Sequence, residues 1–248
     1  MKVEEINPYE QGEEKGKQVE QMFDSIAGRY DFMNKAMSMG QHHRWLNKAL
    51  SAALKLLPST DNLNILDVAT GTGDVAFRLH DILPEAQITG IDLSEGMLDI
   101  ARKKLREMPG EVGKLMAFGK ADCLALPFHD NSFGLITVAY GVRNFSNLRK
   151  GLEEMKRVLL SNGVLCIIEL STPGNFFTKQ LYKIYSGKII PWFGKKISGD
   201  HRAYSYLPES IEACPQRDDM ASLLYASGFK RVEWKSLSFG AVTYYLAI

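Results

Sequence analysis

The sequence predicts an α/β fold: a mostly parallel, seven-stranded sheet with helices on both faces and an antiparallel hairpin at its C-terminal end. Three observations predict it. Apolar runs of strand length at 65–69, 86–91, 115–121, 135–139 and 164–170 alternate with helical segments or loops that enter them. Residues 231–238 and 242–246 flank Phe239-Gly240-Ala241, the pattern of two strands joined by a tight turn. The composition, 45% hydrophobic and 24% charged over 248 residues, is that of an ordinary globular domain.

Taken in order, residues 1–17 carry many charges and almost no large apolar groups to offset ordering entropy, so they read as a mobile tail. Residues 18–248 read as a single domain. Within 18–57 the apolar side chains recur at helical spacing (Val19, Met22, Phe23, Ile26, then Tyr30, Met33, Met37, then Trp45, Leu46, Ala49, Leu50), which predicts two or three helices before the sheet. After the turn at Pro58 and Ser59, five β-then-α units specify a parallel sheet with right-handed crossovers. The hairpin makes the last strand antiparallel.

Charge and cysteine content narrow the function. The 30 basic and 29 acidic side chains nearly cancel, so no global field attracts nucleic acid, and none is expected as a partner. Cys123, Cys166 and Cys214 form no C-x-x-C pair, which fits a reducing compartment. The start of the chain lacks an apolar segment of the secretory kind, and runs such as 163–168 are far shorter than a bilayer span. A cytoplasmic protein is expected, with any membrane contact peripheral.

The first strand leads into Asp67-Val68-Ala69-Thr70-Gly71-Thr72-Gly73-Asp74, a Gly-x-Gly turn between strand and helix, where α/β sheets bind nucleotides. Gly71 and Gly73 permit the tight turn and a close backbone approach. Gly71-x-Gly73-x-x-Ala76 also satisfies the dinucleotide fingerprint, a weak match by itself. A pyrophosphate there would lie between the carboxylates of Asp67 and Asp74 with no basic residue in the turn. S-adenosyl-L-methionine carries an ammonium and a sulfonium instead, and the acidic surroundings favour it. Asp92, about 20 residues beyond the glycines, is placed to accept hydrogen bonds from ribose hydroxyls. Its alternative role as a helix cap already falls to Ser94. Asp122 and the Cys123 backbone, after the third strand, could bind the adenine edge, although an Asp there is as often a turn residue.

Longer strings now resemble one family. Met22-Phe23-Asp24-Ser25-Ile26-Ala27, Tyr30-Asp31-Phe32-Met33-Asn34, 66–74, Ala125-Leu126-Pro127-Phe128, Gly141-Val142-Arg143-Asn144-Phe145 and Tyr206-Leu207-Pro208-Glu209-Ser210-Ile211 resemble the C-methyltransferases of menaquinone and ubiquinone biosynthesis, and among them the demethylmenaquinone methyltransferases. The resemblance implies a class I S-adenosylmethionine-dependent methyltransferase fold. It also implies methyl transfer to a ring carbon of a reduced polyprenylated quinol, with Thr72, Asp92, Asp122 and Cys123 as cofactor contacts. The sequence departs from the family's pattern at Ala139, where relatives often carry a small hydroxyl residue, and at Glu212-Ala213-Cys214-Pro215.

The chemistry places demands of its own. A ring carbon becomes nucleophilic when the neighbouring hydroxyl loses its proton, so the protein must align two partners and manage that proton. Arg143 and Asn144 follow the fourth strand at its carboxyl end and should face the crevice, orienting the quinol and stabilising its phenolate. Arginine is too basic to take the proton itself, which leaves a water or another side chain. Tyr30, on the helical cover, either bonds the ring oxygen or packs. His201 reads as surface decoration. His42 and His43, adjacent on a helix, should point apart and make a poor metal pair, and no metal is expected.

The insertion at 173–215 interleaves Phe176, Phe177, Tyr182, Tyr185, Trp192, Phe193, Tyr204 and Tyr206 with Lys179, Lys183, Lys188, Lys195 and Lys196. It could cover a greasy quinol, dock on anionic lipid, contact a second subunit in a homodimer, or simply pack. A benzoquinol remains an alternative acceptor. An RNA or protein methyltransferase would share the cofactor half but lacks support here, there being no Asn-Pro-Pro-Tyr type string after the fourth strand. A non-catalytic nucleotide-binding module would leave 141–145 unexplained.

Overall fold

The computed structural model describes residues 2–9, 12–38, 40–110, 112–174 and 201–248, without the side chains of Met37 and 201–205. The strands are β1 (Asn64–Val68), β2 (Gln87–Asp92), β3 (Met116–Lys120), β4 (Phe133–Ala139), β5 (Leu159–Leu170), β6 (Val232–Leu237) and β7 (Val242–Ala247). The helices are α1 (Lys15–Ile26), α2 (Tyr30–Met37), α3 (His42–Leu54), α4 (Asp74–Ile82), α5 (Glu95–Glu107), α6 (Leu148–Val158), α7 (His201–Ala213) and α8 (Asp218–Ala226).

The sheet runs β3-β2-β1-β4-β5-β7-β6, parallel except for β7, which pairs antiparallel with both β5 and β6. This is the architecture expected. Strand alternation sorts the core into two layers. Ile65, Leu135, Cys166 and Ile168 meet Leu46 and Leu50 of α3 and Val75 and Leu79 of α4 on one face. Leu66, Ile136, Val138 and Ile167 meet Leu148, Leu152 and Met155 of α6 and Leu224 of α8 on the other. Leu148, Leu152 and Met155 are spaced one helical turn apart and are fully buried. Each buries a side chain worth roughly 1.5–3 kcal/mol.

Two expectations are corrected. The connection from β3 to β4, residues 121–132, is a loop with no helix, so the third unit is not β-then-α. Residues 2–9 and 12–17 are not a free tail: a short 3-10 turn at Val3–Glu5 buries Val3 in the α6 core, and Ile6 packs on Met22 and Tyr206. Polar contacts add to these apolar ones. Lys15 donates to the Val3 carbonyl at 2.5 Å, and Leu148 N donates to the Glu4 carboxylate at 3.3 Å. Of the insertion, residues 175–200 lie outside the description, and with the undescribed side chains of 201–205 go the expectations for its lysines and all its aromatics but Tyr206.

Candidate active site

The strand order reverses between β1 and β4, which opens a crevice at their carboxyl ends. The helical cover closes it into a cavity of about 770 Å³ including its mouth. The sheet and its loops contribute Val68, Ala69 and Gly71, Ile91 to Leu93, the segment 121–124, the segment 139–141 and the segment 144–146. The cover contributes Gly16, Val19, Phe23 and Tyr30.

The glycine turn is held in left-handed backbone, with φ of +53° at Ala69, +57° at Gly71 and +87° at Gly73. Gly71 N donates to Asp92 Oδ2 at 2.8 Å, while Asp92 Oδ1 accepts from Ser94 N at 2.9 Å. Ser94 caps α5 by accepting from Met97 N at 3.1 Å, which frees Asp92 from that duty as expected. Burial nevertheless pushes the Asp92 carboxyl above its ordinary range, its backbone hydrogen bonds opposing the shift. Asp122 lines the cavity and its Oδ1 also accepts from Leu124 N at 2.8 Å, so it is a turn residue as well.

Of the residues singled out in the sequence, Gly71, Asp92, Asp122, Cys123, Tyr30 and Asn144 come together around the cavity. Asp67, Thr72, Gly73 and Arg143 stand behind its wall. The Asp67 carboxylate is 1% exposed and accepts from Thr70 and Thr137 hydroxyls, each at 2.6 Å. Thr72 Oγ1 donates to Asp31 of α2 at 2.5 Å. The turn is also less acidic than its sequence suggests. Lys104, from α5, donates to the Thr72 carbonyl at 3.1 Å and pairs with Asp31 at 2.7 Å and Asp74 at 3.6 Å. Among the described residues that line the cavity, Asp92 and Asp122 are carboxylates and none is a lysine or arginine.

After β4, Gly141 lets the chain turn close against the end of β1: a Cβ there would lie 2.7 Å from the Ala69 Cβ. Asn144 faces the cavity and its Oδ1 accepts from the buried Tyr206 hydroxyl at 3.0 Å. The Arg143 guanidinium, expected to face the crevice, is instead buried and paired with Glu169 of β5 at 2.7 Å. Tyr30 packs edge-on against Phe23 with ring centroids 6.0 Å apart. Ala139 also lines the cavity, without a hydroxyl to offer.

His42 and His43 do not point apart; their ring centroids are 3.8 Å from one another. His42 sits at the start of α3, where it bonds Ser38 Oγ at 3.1 Å and lies 3.8 Å from Asp74. Sequence reasoning missed Lys104, Glu169 and Asp24. Asp24 of α1 accepts from Ser94 Oγ at 2.5 Å and Gly96 N at 2.9 Å, which ties the cover to α5. A glycine at the second position of α5 was the available signal, since a Cβ on Gly96 would sit 3.0 Å from that Asp24 oxygen.

Comparisons with known proteins agree with this geometry. The chain is 44% identical to a demethylmenaquinone methyltransferase of Bacteroides fragilis, covering 98% of this chain and 97% of the relative. It is 36% identical to a ubiquinone/menaquinone biosynthesis C-methyltransferase UbiE of Geotalea uraniireducens, covering 94% and 97%. A solved SAM-dependent methyltransferase of Thermotoga maritima superposes with a TM-score of 0.60 over 92% of this chain and 98% of that one, at 17% identity. That likeness shows the fold, the class I methyltransferase sheet. The ubiE/COQ5 methyltransferase family matches residues 10–248, and this chain belongs to that family.

Proposed function

We propose that this protein transfers a methyl group from S-adenosylmethionine to a ring carbon of demethylmenaquinol, giving menaquinol. The observation that carries the reading is the cavity at the β1/β4 switch point, lined by the carboxylates of Asp92 and Asp122 together with Tyr30, Phe23, Phe145 and Asn144, and by no lysine or arginine among the described residues.

The donor set fits the cofactor, because Asp92, Asp122 and the Gly71 turn offer acceptors and close backbone to a nucleoside. When bound, S-adenosylmethionine supplies an electrophilic methyl on sulfur. Asp92 would hold the ribose hydroxyls, and Asp122 with the Cys123 backbone would hold the adenine edge. Asp67, Thr72 and Gly73 would shape the turn from behind. Phe23, Val19 and Phe145 exclude water and grip an apolar ring. Asn144, oriented by Tyr206, and Tyr30 would hold the quinol oxygens, with the Arg143 charge favouring the phenolate. Alignment of this kind can supply several kcal/mol of the barrier.

A polyprenylated quinol lives in a bilayer, whereas no helix among the described residues is long and apolar enough to cross one. We therefore infer a peripheral encounter with the inner face of the membrane, with the aromatic and lysine-rich insertion at 173–215 as the contact and as a candidate homodimer surface. The similarity to a protein named for both quinones supports a second reading, in which a benzoquinol is also accepted.

The test is an incubation with labelled S-adenosylmethionine and reduced demethylmenaquinone in detergent, with a demethylated ubiquinone precursor and bulk RNA in parallel. Label in the naphthoquinone is expected. Label in both quinones would establish the second reading, and label in RNA alone would overturn the substrate.

A further inference from the structure

We propose that Glu169 is a positioning residue for methyl transfer: it holds the Arg143 guanidinium and the turn that carries Asn144 in place at the substrate end of the cavity. The inference rests on the quinol methyltransferase reading above.

Glu169 is the penultimate residue of β5, and its side chain is 4% exposed. One of its oxygens accepts from Arg143 Nη1 at 2.7 Å and from Leu170 N at 2.8 Å. The other accepts from the backbone N–H of Arg143 at 3.3 Å. One carboxylate thus grips the backbone and the side chain of the same residue. Sheet register brings it there, since Ala139 of β4 pairs with Ile168 of β5 and Tyr140 N donates to the Ile168 carbonyl at 2.7 Å.

Arg143 Nη1 donates further to the Tyr140 carbonyl, so that nitrogen is fully committed. Nε is buried and has no hydrogen-bond partner among the described residues. A buried, partly unpaired guanidinium is costly, and sites that retain one commonly use it. The next residue, Asn144, lines the cavity, so a shift in the Arg143 backbone moves a substrate-facing amide. Glu169 itself does not line the cavity and acts through its neighbours.

The experiment uses the full-length chain and four proteins: parent, Glu169→Gln, Arg143→Ala and the double variant. Glu169→Gln is expected to lower kcat roughly 100-fold, the cost of a small misplacement, with the quinol KM and the S-adenosylmethionine Kd changed less than about threefold. If Glu169 acts through Arg143, the double variant is no slower than Arg143→Ala alone. Effects that multiply, or a Glu169→Gln enzyme with parental kcat, overturn the proposal. Should Glu169→Gln fail to fold, Glu169→Asp keeps the charge but shortens the reach, and the same kcat loss with unchanged Kd is expected of it. Hydrogen exchange at the Arg143 Nε–H, followed by NMR without substrate, is expected to quicken in the Glu169 variants. An unchanged rate would sink the positioning role even if the quinol proves to be the wrong acceptor, whereas a parent inactive on every quinol would sink the reading beneath it.

Discussion

Asp67 shows how a single residue is set by contacts that its own neighbourhood in sequence does not contain. Desolvation pushes its carboxyl from 3.8 up to about 7, against the two threonine hydroxyls, which favour the charged form. An acid whose pKa is higher folded than unfolded costs stability as pH rises from about 4 to about 7, and the cost is fully present above that window. A shift of this size corresponds to something on the order of 4 kcal/mol. Asp67→Asn keeps the shape and removes the titration. Urea melts across pH 4 to 8 are expected to show the parent losing stability relative to this variant as pH rises, and parallel curves would refute it. The acid at the end of β1 was legible in the sequence, but its partner Thr137 was not, because Asp67 and Thr137 meet only through the β1–β4 register. The carboxylates that do line the cavity are instead those of Asp92 and Asp122.

At the scale of elements, periodicity carried the sheet and the helices, while composition misled at the N-terminus. Strands and amphipathic helices announce themselves because every second or fourth residue repeats the signal. The segment before α1 has few apolar groups to bury, Val3, Ile6 and Pro8 with Tyr9 packed beside them, too few for any periodic pattern. Lys15 helps to hold it: its ammonium is buried and bridges the carbonyls of Val3 at 2.5 Å and Arg143 at 3.2 Å. The helix α1 is thereby joined to the turn that carries Asn144. Burial lowers the Lys15 pKa to about 8, so its charge costs stability below that pH and the cost is relieved as pH rises toward 10.5. Lys15→Met retains most of the apolar stem and leaves two carbonyls without their donor. At pH 7 the gain from removing a buried charge and the loss of two hydrogen bonds oppose one another, so net stability is a poor readout. Limited proteolysis is the better one: faster cleavage between residues 2 and 14 is expected, with the domain left intact. A cleavage rate equal to the parent's would mean that the segment's other contacts hold it without Lys15.

For the molecule as a whole, the cavity is a joint between the helical cover and the sheet. Phe23 and Tyr30 line it from one side and Asp92 and Asp122 from the other, and Asp24, Asp31 and Lys104 pin the two together outside it. A ligand that binds only this closed arrangement stabilises it by mass action, about 2.7 kcal/mol at a hundredfold excess over Kd. For a chain of this size that is a rise in Tm of about 5 to 10 °C. S-adenosylmethionine is therefore expected to raise Tm and to slow cleavage of the N-terminal segment together, because α1 lines the cavity and Lys15 anchors that segment. NAD, whose pyrophosphate would sit at the Gly71 turn with no lysine or arginine among the described lining residues to pair with it, is expected to do neither. A rise in Tm with NAD would return the Gly71 turn to the dinucleotide reading. A rise with S-adenosylmethionine that leaves cleavage unchanged would place the cofactor on the sheet without engaging its cover.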